Sequence, residues 1–199
     1  PANPTGTIIP EAELNAIAEV CRERNISVIS DEIYHGLSYT GPTPSMLQFE
    51  PNALIVNSFS KYWSMAGWRL GWLILPEAEV PQARARVGNM FLTPATLSQH
   101  AGLIAMDEEE ELEANIDVYR ANRALMLDAL PAMGLRSIAP PDGAFYIYAD
   151  IGHLTDDSIG FCEALLRETG VATAPGVDFD PVNGHRFIRF SFAVSTAQV

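Results

Sequence analysis

The sequence predicts an α/β protein of two parts, and three observations favour this prediction. Over the first half of the 199 residues, short apolar runs that end in polar residues alternate with stretches of helical periodicity. A longer helical stretch follows, and after Gly134 the pattern changes to strand, helix and strand. We therefore expect one domain over residues 1–120 and a smaller α/β domain over residues 121–199.

Five helices are expected from the spacing of apolar residues. In the first of them, Leu14, Ala18 and Cys21 recur at helical spacing behind two glutamates that suit the positive end of the helix dipole. The helices are predicted over residues 11–24, 76–89, 96–107, 108–133 and 158–169. Residues 195–199 are typical of a helix N-cap and first turn with no helix after them, and the chain opens at Pro1, without a methionine and within a turn-rich loop. We therefore expect the chain to be incomplete at both ends.

Five strands are expected where short apolar runs are rich in β-branched or aromatic residues. They are predicted over residues 26–30, 53–57, 70–75, 144–149 and 187–192. The first is expected to be a buried strand, and it ends at Asp31. The second ends in the polar residues 58–61.

Composition excludes several classes of function. The net charge is −13, and the twelve basic residues are scattered, which argues against a nucleic-acid or anionic-membrane surface. No apolar run is long enough to span a membrane. The two cysteines, Cys21 and Cys162, lie far apart and outside any metal-ligand spacing, so we expect a reducing, cytoplasmic compartment and no metal.

The segment Ser58–Gly71 carries the strongest chemical signal. A predicted strand delivers Ser58 and Lys61 to its end, and Arg69 follows eight residues after the lysine. A lysine amine can form a Schiff base with an aldehyde cofactor, whereas hydroxyls and a guanidinium can hold a phosphate. Gly67 and Gly71 are expected to allow a close approach of the backbone.

This segment resembles the lysine signature of the class I/II aminotransferases, which are pyridoxal-phosphate (PLP) enzymes of fold type I. The resemblance implies part of a three-layer large domain with a mostly parallel sheet, followed by a small α/β domain. It also implies that Lys61 carries the cofactor and is the catalytic base, and that Ser58 and Arg69 bind the phosphate.

Two further motifs resemble those of the same family. Asn3-Pro4-Thr5-Gly6 is similar to its Asn-Pro-x-Gly loop, and Asp31-Glu32-Ile33-Tyr34 is similar to the next motif along the chain. The resemblance implies that Asn3 and Tyr34 bind the phenolic oxygen of PLP, and that Asp31 binds the pyridine nitrogen. The alternative for Asp31 is a helix N-cap at the end of the strand.

Arg189 lies on an apolar predicted strand, where a charge requires a partner. The resemblance implies that Arg189 binds the α-carboxylate of the substrate, and an ordinary ion pair is the alternative. The later loop around Phe179 departs from the family, because Asp180 stands where a glycine is usual.

The resemblance implies an aminotransferase that moves an amino group between an amino acid and a 2-keto acid through a Lys61 Schiff base. It also implies a homodimer in which residues 89–98 reach the neighbouring subunit. That segment holds Phe91, Leu92 and Thr93 but no arginine, so it gives no sign of a dicarboxylate substrate.

Three alternatives stay open at this point. Carbon-sulfur lyases and other enzymes that remove the α-proton resemble the same motifs. Some transcription regulators carry an aminotransferase-like effector domain, although no DNA-reading segment is present in these residues. A catalytically silent α/β domain is the third alternative.

Overall fold

The computed structural model describes all residues from 1 to 199. It contains five α-helices: α1 (Glu11–Glu23), α2 (Val80–Met90), α3 (Thr96–Ala105), α4 (Glu109–Ala132) and α5 (Ser158–Thr169). It contains six strands: β1 (Ile29–Asp31), β2 (Leu54–Ser58), β3 (Gly71–Ile74), β4 (Tyr146–Asp150), β5 (Ala174–Pro175) and β6 (Phe187–Ser191). Each of the five predicted helices and five predicted strands is present; α5 has the predicted ends, and the ends of the others differ by at most four residues. The two-residue strand β5 was not predicted.

The chain forms two compact units. Unit 1 consists of residues 1–8, 38–40 and 114–199, and unit 2 consists of residues 9–37 and 41–113. The N-terminal loop therefore groups with the C-terminal part of the chain, and the division falls inside α4. The domain boundary predicted near residue 120 stays a prediction for the native protein.

Unit 2 contains a three-stranded mixed sheet in the order β1-β2-β3. β1 and β2 are parallel, with Asp31 opposite Val56, whereas β2 and β3 are antiparallel. The expectation of a mostly parallel sheet is therefore wrong for these residues. The reason lies in the connection between β2 and β3, residues 59–70, which turns back on itself and contains no crossover helix.

The core of unit 2 joins α1 to this sheet. Leu14 and Ala18 of α1 pack with Met46, Ala53 and Ile55, all of which are buried. Burial of apolar area of this kind is the main favourable contribution to folding.

Strand β1 is less buried than expected, and the prediction of a buried strand is wrong. Val28 packs against the core of unit 2, but the next side chain, Ile29, is 69% exposed. Successive side chains of a strand point to opposite faces of the sheet. The face that carries Ile29 is therefore left open.

Unit 1 contains an antiparallel sheet in the order β4-β6-β5. Ile147, Ala149 and Ile188 face its core, where they pack with Leu130 of α4 and Cys162 of α5. The alternate residues of β4 and β6 point to the opposite face, which includes Arg189.

Two helix-capping arrangements are present in unit 1. Asp157 caps α5 by accepting a hydrogen bond from the backbone N–H of Gly160. Ser195 and Gln198 form a capping box at the last turn of the chain, which confirms the predicted N-cap.

Candidate active site

The parallel strands of unit 2 bring two of the predicted site residues to one edge of the sheet. Asp31 is the last residue of β1, and Ser58 is the last residue of β2. Asp31 pairs with Val56, so Ser58 lies two residues beyond that register position. The C-terminal ends of parallel strands are a common position for ligand sites in α/β proteins.

Lys61 follows β2 by three residues and is partly buried. Its Nζ atom lies 5.7 Å from the ring centroid of Tyr34, which is itself buried. The structure therefore brings together the predicted catalytic lysine and the predicted cofactor-binding tyrosine. Lys61 is also the single lysine in the sequence.

The hydroxyl of Ser58 closes the loop that contains Lys61. Ser58 Oγ lies 2.8 Å from Ser60 Oγ, and it donates to the carbonyl oxygen of Leu70 at 3.0 Å. It also accepts a hydrogen bond from the backbone N–H of Ser60 at 3.0 Å. One serine thus ties both ends of the segment together.

Arg69 lies at the other end of this segment, with φ of 52° in the left-handed region. A non-glycine residue in the left-handed region is uncommon. The side chain of Arg69 is exposed, and Nη1 donates to the carbonyl oxygen of Ala66 at 3.0 Å. Most of the donor groups of Arg69 therefore face solvent in this structure.

The two glycines of the segment differ in their surroundings. A Cβ atom on Gly71 would lie 2.7 Å from the carbonyl oxygen of Asn57, whereas no atom lies within 4 Å of such a position on Gly67. The predicted close backbone approach is confirmed for Gly71, where β3 meets β2. It stays a prediction for Gly67.

Asp31 is exposed at the end of β1. Its Oδ1 atom accepts a hydrogen bond from the backbone N–H of Ile33 at 3.1 Å. The residues that follow form a turn rather than a helix, so the helix N-cap alternative is wrong.

Glu32 is a buried carboxylate that was not among the predicted site residues. It accepts hydrogen bonds from the backbone N–H of Met46 at 2.9 Å, from Ser45 Oγ at 3.0 Å and from Ser30 Oγ at 3.2 Å. His35 lies 3.3 Å from its other oxygen. Burial lowers the pKa of His35, and the nearby Glu32 opposes that shift. In the sequence, the only sign of this network is the number of polar residues between Ser30 and Ser45.

The second group of predicted residues lies in unit 1. Arg189 donates from Nη1 to Oδ1 of Asn3 at 2.6 Å. Its guanidinium carbon lies 4.2 Å from the ring centroid of Tyr146 and 4.7 Å from that of Phe179. Its polar partner is an amide rather than a carboxylate, so the ion-pair alternative is wrong.

One donor of Arg189 has no partner. The Nε atom is buried and makes no hydrogen bond. A buried donor without a partner is costly, and such groups often mark the position of a ligand. Because Nη1 is bonded to Asn3, the Nε–Nη2 edge of the guanidinium is the edge left for a planar, bidentate acceptor.

Comparison with known proteins places these residues in a family. The model described as "Aminotransferase class I and II" matches residues 1–199. The chain belongs to this family. The resemblance that the motifs indicate is therefore confirmed.

Two relatives and one solved structure illustrate the match. A valine–pyruvate aminotransferase of Mycobacterium tuberculosis is 50% identical over 197 residues, covering 97% of this chain and 51% of the relative. An aspartate/prephenate aminotransferase of Thermus thermophilus is 38% identical, covering 98% of this chain and 51% of the relative. A crystal structure of an aminotransferase from M. tuberculosis superimposes with a TM-score of 0.95 at 48% identity, covering 99% of this chain and 52% of that chain.

The chain thus spans about half the length of the aminotransferases that it matches. Within this half, unit 2 holds Asp31, Tyr34, Ser58, Lys61 and Arg69, and unit 1 holds Asn3 and Arg189. Their roles stay predictions from the motifs. No helix combines the length and the apolar character needed to cross a membrane.

Proposed function

We propose that the native protein that contains this chain is a PLP-dependent aminotransferase. It transfers an amino group between an amino acid and a 2-keto acid. The observation that carries the proposal is the group at the strand ends of unit 2, where Asp31 and Ser58 share a sheet edge and Lys61 lies beside Tyr34. The family match over the whole chain supports it.

The side chains of unit 2 fit the cofactor in their chemistry. They comprise one amine, one carboxylate, one phenol, one guanidinium and two neighbouring hydroxyls, those of Ser58 and Ser60. When bound, PLP supplies an aldehyde that captures amines and a ring that withdraws electrons from the substrate's α-carbon. The amine suits the aldehyde, the carboxylate suits a protonated ring nitrogen, and the hydroxyls and guanidinium suit a phosphate.

Each residue has a distinct task under this proposal. Asp31 accepts a hydrogen bond from the ring nitrogen and keeps it protonated. Tyr34 and Asn3 donate to the phenolic oxygen, while Ser58 and Arg69 hold the phosphate. Lys61 removes the proton from the α-carbon of the substrate and returns it at the C4′ carbon of the cofactor, first as base and then as acid.

Arg189 binds the α-carboxylate of the substrate. Its unpaired Nε and its remaining amino group match the two oxygens of a carboxylate in a bidentate pair. The rings of Tyr146 and Phe179 lie 4.2 and 4.7 Å from the guanidinium carbon and support the side chain by cation–π contact.

Valine and pyruvate are the first substrates to test. The relative that is 50% identical bears a valine–pyruvate name, and the one named for aspartate and prephenate is less similar. Residues 89–98 contain no arginine and so give no sign of a second carboxylate on the substrate.

A homodimer is part of the same proposal. Met90, Phe91 and Leu92 are 77%, 59% and 82% exposed, and contiguous apolar side chains of this kind mark protein interfaces. We expect this segment to contact the neighbouring subunit. The two cysteines are unpaired, which supports a reducing, cytoplasmic compartment.

Borohydride reduction of the native protein in the presence of PLP tests the cofactor assignment. We expect a phosphopyridoxyl adduct on the peptide that contains Lys61, and none in the Lys61→Ala variant. Because the chain has no other lysine, a lysine adduct within these residues can have only one position. A folded protein without the adduct would overturn the proposal in favour of a silent domain.

Product analysis then tests the reaction type. With valine and pyruvate we expect alanine and the 2-keto acid of valine in equal amounts. Pyruvate and a thiol, formed from a thioether amino acid without a keto-acid acceptor, would indicate a carbon-sulfur lyase instead. An adduct without any turnover would favour an effector domain.

A further inference from the structure

The turn after Tyr34 is in direct contact with the residue after Lys61. Gly36 has φ of +91°, and a Cβ atom added to it would lie 2.3 Å from Cδ2 and 2.8 Å from Cγ of Tyr62. The ring of Tyr62 thus lies against the backbone at a position that no other residue could occupy without movement. Two independent constraints, the positive φ and the ring, require glycine here.

Tyr62 makes two further contacts, one through its hydroxyl and one through its ring. Its hydroxyl donates to Oε1 of Glu113 at 3.2 Å, and its ring meets that of Trp63 edge-on at 4.9 Å. Trp63 in turn packs against Phe59 at 5.0 Å and Trp72 at 5.5 Å. Aromatic pairs at these distances add to the stability that burial alone provides.

These contacts lie on both sides of Lys61 along the chain. Phe59 precedes the lysine and is 4% exposed, and Tyr62 follows it. Gly36 stands only two residues after Tyr34, whose ring lies 5.7 Å from the lysine amine. The contact between Gly36 and Tyr62 therefore joins the two segments that carry the amine and the phenol.

We propose that Gly36 and Tyr62 are positioning residues that dock the Lys61 loop on the Tyr34 turn and so set the reactivity of the Lys61 amine toward PLP. Neither residue touches the reacting atoms under this proposal, which rests on the aminotransferase function above. The ring contact acts by fixing where the lysine lies relative to Tyr34. Displacement of the ring moves the amine away from its site, and small misplacements of reacting groups have large kinetic effects.

Gly36→Ala in the native protein is the primary test. Because overpacking forces a shift of the ring, we expect the dissociation constant for PLP to rise roughly 5- to 100-fold and borohydride trapping on Lys61 to slow by a similar factor. Gly41→Ala is the matched control. Gly41 also has a positive φ, of +134°, but no atom lies within 4 Å of its added Cβ. It should leave the dissociation constant and the trapping rate unchanged even if it lowers the melting temperature.

A double-mutant cycle separates the ring contact from backbone strain. Tyr62→Ala alone should weaken PLP binding, and Gly36→Ala in that background should add less than about a twofold effect, since the ring is gone. Tyr62→Phe keeps the ring without the bond to Glu113 and should behave like the wild type. The pH titration of the absorption band of bound PLP should shift in Gly36→Ala and in Tyr62→Ala but not in Tyr62→Phe.

The outcomes distinguish the inference from the proposed function. If the wild-type protein does not capture PLP on Lys61, the proposed function fails. If the wild type captures PLP and Gly36→Ala has the same effect in both backgrounds, or no greater effect than Gly41→Ala, the positioning role is refuted. Should Gly36→Ala fail to fold, Tyr62→Ala against Tyr62→Phe gives the same decision.

Discussion

Replacing Arg189 by lysine tests how the substrate's carboxylate is recognised. Lysine keeps the positive charge but loses the planar fork that can bind both oxygens of a carboxylate. In the structure one arm of that fork is bonded to Asn3 at 2.6 Å, and the Nε arm is buried without a partner. The substitution should therefore remove at least one charge-assisted hydrogen bond to the substrate.

The expected loss of activity follows from the number of hydrogen bonds removed. A hydrogen bond to a charged group contributes about 1.5–3 kcal/mol, which corresponds to a roughly 10- to 150-fold loss in kcat/KM for an amino acid. The rings of Tyr146 and Phe179 still cover the side chain, so the site should stay folded and the affinity for PLP should change little.

The assay compares valine with isobutylamine, which has the same side chain without the carboxylate. In the native protein, the Arg189→Lys substitution should lower the rate of the half-reaction with valine and leave the rate with isobutylamine unchanged. Arg186→Lys is a matched control, because that arginine is paired with Asp150 and half-exposed. An equal loss for both compounds, or an equal loss in the control, would refute the assignment of Arg189 to the carboxylate.

Two further predictions concern buried and paired carboxylates. Glu32→Ala leaves buried donors such as the N–H of Met46 unsatisfied, so we expect the free energy of unfolding, measured in urea, to fall by about 1–3 kcal/mol. Glu19→Ala, on the exposed face of α1, should change that free energy by less than about 0.5 kcal/mol. Equal effects of the two would contradict the role given to Glu32. Burial raises the pKa of Asp150, but hydrogen bonds from Gly152 and Arg186 outweigh it and hold that pKa below its ordinary value. A carboxylate whose pKa is lowered in the folded state stabilises the protein at pH values above its ordinary pKa. This contribution to stability is lost as the pH falls. The stability difference between wild type and Asp150→Asn should therefore be full at about pH 7, begin to decline as the pH falls through the ordinary carboxyl value of about 4, and be lost only below the lowered pKa of Asp150, whereas a difference that does not decline with pH would refute this account.

The helices could be predicted well because their signals are local. Apolar spacing and capping residues lie within a few positions of each other, and α5 has the predicted bounds, Ser158–Thr169. The sheet was less predictable. The parallel or antiparallel direction of a pair depends on how the connection runs, and the burial of Ile29 depends on what covers its face of the sheet.

The sequence alone was enough to indicate the family of this protein and the residue types of its candidate site. The order of Asn3, the Asp31–Tyr34 motif, Lys61, Arg69 and Arg189 indicated both the family and the cofactor, since each motif consists of a few adjacent residues with a chemical reason for their types. The tertiary structure decided the surroundings of those groups, including the buried Glu32 and the unpaired Nε of Arg189. Arg189 and Asn3 are separated by 186 positions. Contacts between residues so distant leave no periodic trace along the chain, so only the folded structure can show them.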